Sequence, residues 1–173
     1  FQIPPAIWDR LGRAGRRSLL IDPYDCVEPT DLLGDGLRGW QFTNRVALPS
    51  LPTRTRRRLS RLFGRPRPAD EIYGRPAPAE LLGLREVLLG APGRIADAAG
   101  ELLAREQYDL LWIDFAAMHM AGHQFLDVDA VADTEGMDPA ELARLHTAME
   151  DIYVAGDRAI ARVLERLPAG TDL

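Results

Sequence analysis

His119 and His123 are two of the chain's three histidines, and they stand four residues apart in the stretch DLLWIDFAAMHMAGHQF, residues 109–125. Imidazole nitrogen is a good zinc donor. Two such donors at this spacing can meet one ion from a single helical turn or a compact loop. Gly122 between them permits a tight turn or a close backbone approach. Two ligands fall short of the three or four protein donors that a zinc site needs. The competing reading is that one histidine caps a helix and the other is exposed. His146 lies inside a long apolar-striped segment and reads as an ordinary, partly exposed residue.

An apolar run leads directly into the pair. Tyr108–Phe115 is continuous rather than alternating, which suits a strand buried on both faces of a parallel sheet. The run therefore predicts a central, buried strand, parallel to a second strand over Ser18–Ile21. Ligands in open α/β sheets bind beyond the carboxyl ends of the strands. That rule predicts both histidines there, with His123 facing the cleft.

The flanking segments supply the helices of an α/β rhythm. PPAIWDRLGRAG reads as a short helix, with Pro4 and Pro5 in its first turn and Gly15 just past its end. Asp22-Pro23 ends the strand that follows. Residues 27–52 read as irregular, anchored by Trp40 and Phe42. GAPGRIADAAGELLAREQ is a second helix, with Ile95, Ala98, Ala99, Leu102 and Leu103 at helical spacing. A third, long helix opens at DPAEL, with Asp138 as N-cap, Pro139 in the first turn and Glu141 at the third position. Its apolar stripe runs through Leu142, Leu145, Met149, Ile152, Tyr153, Ile160, Val163, Leu164 and Leu167. Asp157 on that helix reads as structural, since a polar group there needs a partner if it is buried.

At 173 residues the chain can bury the core of one domain, and 46% hydrophobic with 27% charged residues is ordinary for a globular protein. The net charge of −5 gives no global pull toward nucleic acid. No apolar run reaches membrane-span length. Cys26 is the single cysteine, so an intrachain disulfide and a thiolate cluster are excluded. A lone thiol fits a reducing compartment, and the cytoplasm is the expectation. All 21 basic residues are arginine, seven of them between Arg54 and Arg67. That run reads either as a phosphate- or polyanion-binding patch or as a solvated surface helix or mobile loop before a Pro-rich linker. Without interleaved aromatics the solvated reading is preferred, and the run is expected to lie exposed outside the sheet.

Several stretches together resemble the type I phosphodiesterase/nucleotide pyrophosphatase family of the alkaline phosphatase superfamily. The family has a hydrophobic strand ending in Asp-x-x-x-His, with Gly before the His and an aromatic after it. Gly122, His123 and Phe125 fall in that register. PAIWDRLGRAGRRSLLIDPY resembles the family's helix and strand after the nucleophile region, and LLGDGLRGW the Gly-rich loop that follows. LHTAMEDIYVAGDRAIARVLERLPAGTDL resembles the long helix that precedes the family's Asp-His-Gly strand. The likeness covers most of the chain outside about residues 50–80.

The resemblance implies a fragment of an alkaline-phosphatase-like α/β domain spanning residues 1–173, with an Arg/Pro-rich insertion at about 50–80. It implies a parent phosphohydrolase with two divalent ions, zinc by preference, acting on a small phosphorylated substrate. His123 would be a metal ligand. His119 would be a second, standing where the family has Asp. Asp114 lies five residues before His119 and does not align with that position. The Thr/Ser nucleophile and the Asp-His-Gly segment are expected outside these residues. On that expectation residues 1–173 alone are inactive and bind the ion weakly or not at all. A phosphoglycerate mutase- or sulfatase-like relative, a degenerate non-catalytic binding domain, and an adaptor using the arginine run stay open as alternatives.

Overall fold

The computed structural model describes residues 4–23, 28–41, 53–65 and 74–173. Phe42, one of the two expected anchors, lies outside them. The described chain is mixed α/β, built on a three-stranded parallel sheet.

Helix α1 (Ile7–Arg13) follows Ala6 at its N-cap, so Pro4 and Pro5 stand before the helix rather than in its first turn. Gly15 adopts φ 74 just past its end, the left-handed position that glycine occupies most easily. Strand β1 (Ser18–Ile21) is buried at every residue. It pairs in parallel with β2 (Gly34–Leu37) on one side and β3 (Leu110–Ile113) on the other.

β2 lies in a region that reads as irregular. Its sequence, GDGL, carries no alternation and no β-branched residue, so the strand is declared only by backbone pairing. Gly34 makes that pairing possible: its φ is 136, and a Cβ there would strike the Ser18 backbone.

The sheet order is β2-β1-β3, which corrects the expectation for residues 108–115. The strand is parallel to β1, but it is shorter than the apolar run, only partly buried, and at the edge of the described sheet. Leu111 and Ile113 pack against the helix layer, while Leu110 and Trp112 turn to the other face. There Trp112 meets Trp8 edge to face, with ring centroids 5.5 Å apart. Both faces are thus partly covered. An apolar run reports the faces of a strand and is silent on what lies beside it.

Helix α2 (Thr53–Phe63) carries the arginine run outside the sheet and docks on α3 (Pro78–Leu103) through the fully buried Leu59. α3 begins twelve residues before the expected helix. Pro78 is at its first turn, and Glu80 accepts the Ala77 N–H at 2.8 Å. Pro92 sits mid-helix between two cores. Before it, Leu81, Leu84, Leu88 and Ala91 join one cluster; after it, Ile95, Ala98, Ala99 and Leu102 pack on the sheet.

After β3 come α4 (Ala116–Phe125), α5 (Val128–Val131), α6 (Pro139–His146) and α7 (Ala148–Leu164). Asp138 caps α6 as expected, accepting from the Ala140 and Glu141 N–H groups. The anticipated single long helix is two, divided at Thr147, whose hydroxyl bonds Asp151 at 3.0 Å. Leu145, Ile152 and Val163 of the apolar stripe are buried, whereas Tyr153, Ile160 and Leu164 are exposed. Asp157 is also exposed and so requires no buried partner.

Candidate functional site

Two residues, Asp114 and Phe115, separate β3 from α4, so α4 starts at the carboxyl end of the sheet. Its sequence sorts by helical face. Ala117, Met120, Ala121, Gln124 and Phe125 are buried, and the small alanines let α4 approach its neighbours closely. Gly156 of α7 does the same from the other side, since a Cβ there would collide with the Met118 sulfur. This packing leaves His119 and His123 one turn apart on the exposed face.

The two imidazoles meet. Their Nε2 atoms are 3.1 Å apart, and the rings lie edge to face with centroids at 4.6 Å. One nitrogen must donate and the other accept, so at least one ring is neutral in this contact. Two imidazole nitrogens bound tetrahedrally to one zinc, each at roughly 2.0–2.1 Å, stand about 3.3 Å apart. The helix therefore sets the donors near the separation one ion requires. Among the described residues, no group of three or more His, Cys, Asp or Glu is arranged to hold a metal. The pair alone offers two donors, and a zinc centre would need more than these two.

Of the remaining sequence candidates, His146, Asp114 and Arg58 have partners of their own. His146 pairs with Asp129 at 3.5 Å. The Asp114 carboxylate accepts from the Trp112 indole at 3.1 Å, and its backbone N–H continues the β1 pairing through Ile21. Arg56, Arg57, Ser60, Arg61 and Arg65 line a shallow concavity on α2 whose lining includes no residue of α4. Arg58 is turned away from it and bonds Glu101 at 2.6 Å, which holds that carboxyl below its usual range.

Sequence reading missed a second polar cluster at the carboxyl end of β1. Asp22 is fully buried and non-glycine at φ 48, a left-handed conformation. One carboxylate oxygen, Oδ2, accepts the N–H groups of Trp40 at 3.0 Å and Gln41 at 2.9 Å. Those bonds fasten the chain after β2 across the top of β1. Gln41 in turn donates its side-chain amide to the Asp114 carbonyl, linking all three strand ends. Among the described residues, neither the other oxygen, Oδ1, nor the buried Gln41 Oε1 has a hydrogen-bond partner. Burial pushes the Asp22 pKa up from 3.8 to about 6, outweighing the backbone bonds that lower it. The one sequence signal was an aspartate closing the apolar run Leu19–Ile21, which reads first as a strand terminator.

Comparison with protein-family models, curated proteins and solved structures gives no match. No helix among the described residues is long and apolar enough to cross a membrane. The chemistry of the site thus rests on its own residues: two convergent imidazoles on α4 and a buried carboxyl at the strand ends.

Proposed function

We propose that this chain is part of a metal-dependent phosphohydrolase of the phosphodiesterase/nucleotide pyrophosphatase kind, with an alkaline-phosphatase-like core. His123 and His119 would be two ligands of a divalent ion, zinc on donor chemistry. The observation that carries the reading is the 3.1 Å approach of the two Nε2 atoms on the helix that follows β3. The order of the resembling stretches along the chain supports it. A bound ion would supply Lewis acidity toward a phosphoryl oxygen and help ionise a Thr/Ser nucleophile. The chain's own contribution is positional: α4, held by Met118 against Gly156, fixes both imidazoles on one turn. The nucleophile and the other ligands are proposed to come from polypeptide beyond residues 1–173.

A second reading is a binding domain that has lost catalysis. It is favoured by His119, because two imidazoles bring no negative charge to offset a divalent cation. Hydrolysis of an aryl phosphodiester by the native polypeptide separates the two. The enzyme reading expects activity that chelation removes and zinc restores, and that His119→Asp preserves or raises. Absence of hydrolysis in a folded, zinc-loaded protein would favour the binding domain.

A further inference from the structure

We propose that the exposed face of α2 is a binding site for a compact oligophosphate, a soluble ligand with two or more linked phosphate groups. Arg56, Arg57, Arg61 and Arg65 line one concavity together with the Ser60 hydroxyl. None of these four guanidiniums has a carboxylate partner among the described residues, whereas Arg58 on the same helix is paired with Glu101. Residues 54–67 carry +7 in a chain of net −5, so the remainder carries −12. Four arginines of that run thus share one concavity in a chain whose net charge is negative.

The helix is built against its own electrostatics. It has no acidic residue in its first turn, where Arg54 and Arg56 oppose the helix dipole. Arg54 and Arg58, and Arg57 and Arg61, are like-charged pairs at i, i+4 spacing. Leu59 and the Arg58–Glu101 bond hold the helix down in spite of this. A polyanion in the concavity would relieve the repulsion. Guanidinium forks match phosphate oxygens geometrically, and the Ser60 hydroxyl can add one donor.

The same observations select among anions. A membrane surface would call for exposed apolar side chains to insert beside the charges, and Leu62 is the only large one exposed on α2. A long nucleic acid would extend past the patch onto the rest of a chain whose remaining residues sum to −12. A short phosphate chain needs neither.

The test is calorimetric titration of the protein with tripolyphosphate at constant ionic strength. Saturable binding is expected, weakened at least tenfold by Arg57→Gln/Arg61→Gln and unchanged within about twofold by Arg158→Gln on the exposed face of α7. Removing like charges should not unfold α2, which circular dichroism checks. Arg57→Lys/Arg61→Lys keeps the charge but loses the forks, so it should weaken binding severalfold and carries the test if the Gln variant misfolds. Equal affinity of wild type and both double variants would overturn the proposal. So would capture by anionic phospholipid vesicles or duplex DNA without tripolyphosphate binding, or full displacement by chloride at matched ionic strength.

Discussion

Asp22→Asn should make the protein more stable at neutral pH and remove part of its pH dependence. Asp22 is fully buried, with its pKa raised from 3.8 to about 6. A carboxyl whose folded pKa is raised binds its proton more tightly in the folded state. Its stabilisation is complete below the unfolded value of 3.8 and is lost as pH rises through about 6. The difference of about two units corresponds to roughly 3 kcal/mol, at about 1.36 kcal/mol per unit. The amide has no charge to lose. Its oxygen can keep both bonds from Trp40 and Gln41, and asparagine tolerates positive φ better than most residues. Its NH₂ would occupy the place of Oδ1, which like Gln41 Oε1 on the adjoining side chain has no partner among the described residues. Urea unfolding of both proteins across pH 4 to about 7.5 measures the difference directly. Asp31, Glu86 and Glu101, whose carboxyls Arg13, Arg144 and Arg58 hold low, lose stabilisation at acid pH in both proteins and cancel. The advantage of Asp22→Asn should grow through the window from 3.8 to about 6 and then level off. A pH-independent difference, or a variant that loses ground as pH rises, would refute the reasoning.

Two further substitutions test what positions the site. Asp9 is buried and accepts the N–H groups of Thr30 and Asp31 at 3.0 and 2.9 Å, so Asp9→Ala should cost about 2–4 kcal/mol in urea unfolding; a loss below about 1 kcal/mol would mean that the loop is held otherwise. Gly156→Val should push Met118 and α4 outward, costing about 1–3 kcal/mol and shifting the imidazole NMR signals of His119 and His123; unmoved signals would show that α7 does not set the pair.

What could be read from the sequence follows the range of the forces involved. The Asp138 cap and the His119–His123 spacing are local patterns, and each appears in the structure as one turn of helix. β1 was legible because four buried residues in a row leave little else to build. The edge position of β3 was not, because lateral neighbours leave no mark on an apolar run. β2 was hidden by its composition, and its pairing is set by Ser18 across from Gly34 rather than by its own side chains. The first half of α3 was not read as helix; it forms through the packing of Leu81, Leu84 and Leu88, whose partners lie far off in sequence. The burial of Asp22 depends on Trp40 and Gln41 arriving from eighteen or more residues away, and no pattern around Asp22 announces it.

The central claim is that His123 holds a catalytic metal, and one comparison tests it most directly. Hydrolysis of an aryl phosphodiester is measured for the native polypeptide and for His123→Ala, each supplied with zinc and checked for folding by its unfolding transition. His123 is exposed on α4, so its removal should leave the fold intact, and the account predicts that hydrolysis is abolished. Full activity in a folded His123→Ala variant of an active parent would contradict it, and the histidine pair would then be no more than two hydrogen-bonded residues on a helix surface.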